Sequence, residues 1–228
     1  MSCQIVPIHL SISNAYLLKG RRNVLVDTGS PGDFARLLAA LHDHDVAPRD
    51  LALILHTHGH GDHAGSTAEL RAVTTAPVAV HLADSKMLCL GKVDRLRAVR
   101  ARHWLLRPLI HFSYEPVEPD LMLEDGMSLA EFGVDGRVVA TPGHSRGSVT
   151  VALDDGAVIA GDLLRGGYLN GLVFPSRPLH PYFADDLSLI GASVQRLLDM
   201  GCHTFHIGHG GPLTRQAVAD WQARFTAR

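Results

Sequence analysis

The chain has 228 residues, a formal charge of −2, 46% hydrophobic and 19% charged residues, enough length to bury a sizeable core. That near-neutral balance gives no general attraction to nucleic acid or to acidic membranes. No apolar run approaches a membrane span and the first twenty residues lack a basic region, so the expectation is a cytoplasmic protein without a signal peptide.

Strands are expected at 4–10 and 14–18, and VLVDTG (24–29) reads as an apolar strand ending in a turn. Ser30-Pro31-Gly32-Asp33 then opens a helix to about Leu41, since proline suits a first helical turn. LALIL (51–55) is an apolar strand that runs straight into THGHGDHAG (57–65), and APVAVH (76–81) is another strand. Residues 82–106 are expected to be helical, with Val93, Leu96 and Val99 on one face. From Lys86 to Arg107 this stretch also carries Lys92, Arg95, Arg97, Arg100 and Arg102 against only Asp94, which makes 86–120 a candidate helical cap whose arginines could bind a substrate carboxylate or phosphate.

Further on, GRVVAT (136–141), SVTVALD (148–154) and AVIAGD (157–162) read as strands, with Asp155-Gly156 as a hairpin turn. Residues 163–182 are rich in glycine and proline and are expected to form an ordered loop. A helix over 184–200, a strand over 204–207 and a helix over 212–226 complete the chain. With no low-complexity tract and no clean internal repeat, the pattern is one domain over 1–228, α/β or α+β in class. Cys3, Cys89 and Cys202 are odd in number and far apart, as reduced thiols would be.

The unusual residue is histidine, at 15 copies. His58, His60, Asp62 and His63 crowd one loop, where Gly59 and Gly61 let the backbone fold tightly enough for alternate side chains to converge. Imidazole and carboxylate together suit zinc, iron and similar ions. Four such groups in six positions exceed what one tetrahedral ion with an open site can use. His144, Asp162 and His209 also stand just after apolar strands, bringing the donors to seven, enough for two ions sharing Asp162.

VDTG, H-x-H-x-D-H, a glycine-flanked histidine, a Gly-Asp and a Gly-His succeed one another over 24–211. In that order they resemble the metallo-β-lactamase-fold superfamily. The resemblance implies a four-layer αβ/βα sandwich of two mixed β-sheets flanked by helices. It implies that His58, His60 and His144 hold a first ion, that Asp62, His63 and His209 hold a second, and that Asp162 bridges. Zinc is the leading ion, with iron or manganese as alternatives. Asp27 is expected to tie down the ligand loop rather than to bind metal. His56, His81 and His206, near the ends of strands, are candidates for hydrogen bonding behind the ligands.

Within that superfamily an aspartate at position 162 is similar to the glyoxalase II thioesterases and the lactonases. The expected reaction is hydrolysis of a small ester, thioester or lactone by a dinuclear metal-bound hydroxide, with Asp62 and Asp162 catalytic. Lactonases carry a tyrosine at the position of Arg165; here the nearest tyrosine is Tyr168, the expected proton donor. Arg165, Tyr168 and Arg177, with Asn170, are the polar groups that the 163–182 loop could offer to substrate. The alternative is a persulfide dioxygenase-like oxidoreductase with one iron on His58, His144 and Asp162; a non-catalytic metal scaffold ranks third. A small-molecule substrate is the expected partner, with no nucleic acid and no membrane. A homodimer is one candidate assembly: the apolar residues Leu172, Val173 and Phe174 of the loop could wall the pocket, pack the loop down or form a subunit contact.

Overall fold

The computed structural model describes residues 3–93, 96–110, 113–169 and 171–227. Asp94, Arg95 and Asn170 lie outside the described residues, as does the side chain of Arg107.

The first sheet has six strands in sequence order: β1 (Gln4–His9), β2 (Asn14–Lys19), β3 (Asn23–Val26), β4 (Leu51–Leu55), β5 (Val78–His81) and β6 (Leu121–Leu123). The first three pair antiparallel and the rest parallel. Between β3 and β4 lies α1 (Phe34–Asp43); after β4 come α2 (Gly61–Ala64) and α3 (Thr67–Arg71); and α4 (Leu82–Leu90) succeeds β5. The second sheet is built from β7 (Gly136–Ala140), β8 (Val149–Leu153), β9 (Ala157–Ile159), β12 (Thr204–His206) and β13 (Leu213–Thr214), in the order β13-β12-β9-β8-β7. A separate two-stranded hairpin joins β10 (Arg165–Tyr168) to β11 (Val173–Leu179), and α5 (Leu187–Asp199) and α6 (Arg215–Thr226) close the chain.

Every residue of β4 is buried, because both faces of its sheet are covered. Side chains alternate across a strand, so Leu53 and Leu55 join Val138, Val151 and Ile159 in the layer between the sheets. Ile54 faces the other way, onto Leu37 and Leu41 of α1 and Leu88 of α4. On the far side, Val139 and Val158 pack against Ile190, Val194 and Leu197 of α5 and Trp221 of α6. The result is helix, sheet, sheet, helix: the four-layer sandwich expected from the sequence. No helix among the described residues is long and apolar enough to cross a membrane.

Two elements differ from the sequence reading. The expected helix over 82–106 ends at Leu90, because Gly91 takes a left-handed backbone conformation (φ 56°) that terminates the helix. Among the described residues beyond Gly91 no helix or longer strand forms before a 3-10 stretch, Ala101–Leu109. The irregular segment is pinned antiparallel to residues 182–184: Val99 N donates to Tyr182 O at 3.0 Å and Ala184 N to Arg97 O at 2.9 Å. The expected 163–182 loop is instead largely the β10–β11 hairpin. Pro175 and Pro178 are tolerated in β11 because that strand pairs on one side only.

Candidate metal centre

The donors gather where strands of both sheets end. The loop after β4 supplies His58 and His60 and the short α2 supplies Asp62 and His63; the loops after β7, β9 and β12 supply His144, Asp162 and His209. They fall into two groups, His58, His60 and His144, and Asp62, His63, Asp162 and His209. Within each group one ligand atom per residue lies within 4.8 Å of all the others.

Each histidine is aimed from behind. His144 Nδ1 donates to Phe183 O at 2.9 Å and His209 Nδ1 to Ile12 O at 2.7 Å. His63 Nδ1 donates to Asp27 Oδ2 at 2.8 Å. His58 Nδ1 donates to Thr57 Oγ1 at 3.0 Å, whose hydroxyl passes on to Asp27 Oδ2 at 2.8 Å. In all four, the bond at Nδ1 leaves Nε2 for the cluster. His60 presents the other nitrogen, its Nδ1 standing 2.9 Å from His144 Nε2.

Asp27 has the tethering role expected of it. Besides His63 and the Thr57 hydroxyl, it accepts from Thr57 N at 2.8 Å, and it does so from a strained left-handed backbone (φ 63°). His56 stands behind it, with Nδ1 3.7 Å from Asp27 Oδ1. The other two candidates lie elsewhere: His81 caps α4 by accepting from Ala83 N, and His206 packs edge-on against Tyr16.

Asp84 is the residue that the sequence reading did not single out. From α4 its carboxylate accepts from Gly59 N at 3.0 Å, Ser145 Oγ at 2.6 Å and Gly147 N at 2.8 Å. It is 1% exposed, and it clamps the loop bearing His58 and His60 to the loop bearing His144. No local pattern marks it, since its partners lie 25 to 63 residues away.

The donor set fits divalent ions. His58 Nε2, His63 Nε2 and Asp162 Oδ1 are buried without a hydrogen-bond partner, a costly arrangement unless something else occupies their lone pairs. His63 Nε2 and Asp162 Oδ1 lie 3.2 Å apart, out of hydrogen-bond alignment. Backbone makes room beside them: a Cβ on Gly208 would fall 2.0 Å from Asp162 Oδ1. Electrostatics divide the two groups. Burial, reinforced by neighbouring histidines, lowers the pKa of His58 and brings His144 down to about 4, so both stay neutral as ligands must. Burial also opposes charge on His63 and His209, but Asp162 and its neighbouring carboxylates win, raising His63 well above the usual range and His209 to about 10. Burial acts against the carboxylates too, yet His63 and His209 hold Asp62 and Asp162 below their ordinary values.

A cavity of about 540 Å³ opens over the cluster, reaching His60, Asp62, His144, Asp162 and His209. Its remaining wall is mostly apolar, with Val93, Leu96, Leu106, Pro108 and Ile110 contributed by the segment expected to form a cap. Its described residues therefore line the site, Val93 and Leu96 from irregular chain and Leu106 and Pro108 from the 3-10 stretch, rather than from one long α-helix. A smaller polar cavity of about 420 Å³ meets the first at His60 and His144, and Arg97 and Arg146 line it. Arg165 lies in the main cavity wall and is 9% exposed. The structure does not place Tyr168 or Arg177 there. Tyr168 is 42% exposed and Arg177 is exposed on β11, and neither is among the residues that line the cavity.

The sequence profile of the metallo-β-lactamase superfamily matches residues 10–209. The chain belongs to that superfamily. Among its superfamily relatives are a hydroxyacylglutathione hydrolase of Anaeromyxobacter dehalogenans, 35% identical over 65% of this chain, and an acyl-coenzyme A thioesterase of Gallus gallus, 33% identical over 60%. The matched segments cover 45% and 52% of those two relatives, so this superfamily member spans about half the length of each. Among superfamily members of known structure, TTHA1623 in a di-iron-bound form superimposes with a TM-score of 0.67 at 28% identity, covering 94% of this chain and 96% of that one.

Proposed function

We propose that the protein is a dinuclear metal-dependent hydrolase of a small ester, thioester or lactone. The observation that carries this reading is the buried donor set, in which His58 Nε2, His63 Nε2 and Asp162 Oδ1 have no hydrogen-bond partner and converge below a largely apolar cavity. Superfamily membership supports it, as do relatives named for acyl-coenzyme A and hydroxyacylglutathione hydrolysis.

His58, His60 and His144 would hold one ion, Asp62, His63 and His209 the other, with Asp162 between them. Two divalent ions, zinc first among the candidates, supply when bound a water ionised near neutrality and an electrophile for the scissile carbonyl. The chain's own residues do the rest. Asp162 orients the attacking water through a carboxylate oxygen and carries its proton toward the leaving group, assisted by Asp62. The Nδ1 bonds to Phe183, Ile12, Asp27 and Thr57 keep the imidazoles from rotating as charge develops. The apolar wall excludes bulk water and receives the non-reacting part of a small acyl group.

Elemental analysis of purified protein, paired with a screen of thioesters, esters, lactones and glutathione persulfide, tests this. The expected result is two ions per chain and hydrolysis, with Asp162→Ala losing at least one ion and the activity. A single tightly held ion in fully active protein overturns the dinuclear reading. One iron with dioxygen consumed on the persulfide replaces hydrolysis by oxidation.

A further inference from the structure

Two segments that border the metal cavity are both basic and apolar. Residues 95–110 and 163–182 together hold seven arginines and no acidic residue, in a chain whose formal charge is −2. Arg100, Arg102 and Arg177 are exposed; the arginine ion pairs among the described residues are made by Arg21, Arg71 and Arg196 instead. Desolvation lowers the pKa of His103, a bond to Tyr182 O opposes the shift, and Arg165, Arg102 and Arg100 add to it, so this edge of the cavity is positive. Five of the seven residues from Tyr168 to Phe174 are large hydrophobics left exposed, with Leu172 at 84%, and on the other segment Trp104 is exposed and Leu105 is at 82%. Leu106 and Leu169 line one cavity, so the two apolar edges flank one mouth. Leu169 (φ 50°) and Phe174 (φ 56°) hold left-handed backbone, a strain that persists where it serves a function. Single exposed hydrophobics are ordinary, whereas a contiguous patch rimmed by charge marks an interaction site.

We propose that the cavity mouth is a docking surface for an anionic lipid bilayer: Trp104, Leu105, Leu172 and Phe174 enter the headgroup layer while Arg100, Arg102 and Arg177 meet the lipid phosphates. Apolar tips set among arginines combine the two attractions that hold a peripheral protein on such a surface. The near-neutral charge of the whole chain hides this local concentration. A second copy of the chain fits the patch less well, because a two-fold contact sets the same surface against itself and brings like charges together. The attachment is peripheral, since no helix among the described residues can cross a membrane. Docked in this way, the cavity opens onto lipid, and an amphiphilic ester or thioester would reach the donors from the bilayer. That consequence rests on the hydrolase reading above; the docking does not.

The test sediments the full chain with vesicles of equal parts phosphatidylcholine and phosphatidylglycerol, and with vesicles of phosphatidylcholine alone. Binding to the anionic vesicles is expected to be about tenfold tighter or more, and to weaken as salt is raised. Arg100→Ser with Arg102→Ser should weaken it about 10- to 30-fold, the worth of two arginines at a charged surface. Leu172→Ser with Phe174→Ser should weaken it at least as much, and neither pair should change thermal melting. Fluorescence gives a second reading without altering the patch. Of the two tryptophans, Trp221 is buried and Trp104 exposed, so anionic vesicles should shift the emission to shorter wavelength, and Trp104→Phe should abolish the shift. Equal binding to both kinds of vesicle, no shift, or indifference to both double variants overturns the proposal. A dimer in solution that Leu172→Ser with Phe174→Ser splits, with no vesicle binding, assigns the patch to a second copy instead. Vesicle binding without hydrolysis of any ester or thioester would keep the docking surface and sink the hydrolase reading.

Discussion

Asp84 Oδ2 accepts a hydrogen bond from Ser145 Oγ at 2.6 Å, joining α4 of the first sheet's helical layer to the loop that carries His144 in the second. The same oxygen holds Gly59 N, between His58 and His60. One carboxylate thus sets the spacing of the first three donors. Asp84→Asn keeps the size but turns an amide N–H₂ toward hydrogen-bond donors. The expected result is a 10- to 100-fold loss of metal affinity or activity, the usual effect of removing such a support, read as metal retained after dialysis. Metal retention equal to wild type in the folded variant would remove Asp84 from the site.

Gly208 offers a sharper probe of the space between the donors. A Cβ there would meet Asp162 Oδ1 at 2.0 Å and His63 Cε1 at 2.6 Å. Its φ lies outside the left-handed region, so alanine introduces no backbone strain of its own. Gly208→Ala should abolish binding by the Asp62, His63, Asp162 and His209 group while His58, His60 and His144 keep theirs. Elemental analysis showing a fall from two ions to one is the expected outcome, and two ions retained would mean that the backbone shifts to accommodate the methyl.

Acidity affects the two groups unequally. In the ion-free protein, burial opposes charge on His209 but Asp162 and Asp62 raise its pKa to about 10, and His63 is raised likewise. At neutral pH both therefore hold protons that an incoming ion must displace. Affinity at this group should climb with pH, about tenfold per unit for each proton displaced below the raised values. Calorimetry in two buffers of different ionisation enthalpy should show net proton release at pH 7; none would mean the histidines enter neutral. The sign for folding is opposite. Raised pKa values stabilise the ion-free chain fully below the unfolded histidine value, about 6.5, and that stability is lost as pH rises toward about 10.

Tyr168 can be separated from the chemistry. With its side chain 42% exposed and outside the cavity wall, Tyr168→Phe should leave kcat within about threefold, well short of the 10²–10⁴-fold that general acid catalysis contributes. A loss of tenfold or more at unchanged metal content would mean that the hairpin closes over the cluster during turnover.

The donors were legible because their spacing is local. His58 to His63 fit in one short loop with glycines between them, and each remaining donor comes directly after an apolar strand. The supports behind them were legible only in part. Asp27 sits in a recognisable VDTG, whereas Asp84 is one carboxylate in a helix, with partners on two distant loops. The basic stretch after α4 misled because Val93, Leu96 and Val99 imitate a helical face, while the helix had already stopped at Gly91. The hairpin was hidden by RGGY and VFPSRPL, which lack alternation and contain prolines that only an edge tolerates. Tyr168 lies close to Asp162 in sequence yet is not among the residues that line the cavity, a position that sequence proximity alone does not reveal.

Because the cluster draws His58, His60, Asp62 and His63 from the first half of the chain and His144, Asp162 and His209 from the second, neither half alone carries a finished site. A nascent or nicked chain ending before residue 144 would own only part of the donor set, lacking His144, Asp162 and His209. On the dinuclear reading, tight ion uptake would then be a late event in the life of the molecule, coincident with docking of one sheet on the other. Whatever free energy the ions release on entering resists the separation of the two halves, so a chelator should loosen the seam between the sheets before it melts either sheet.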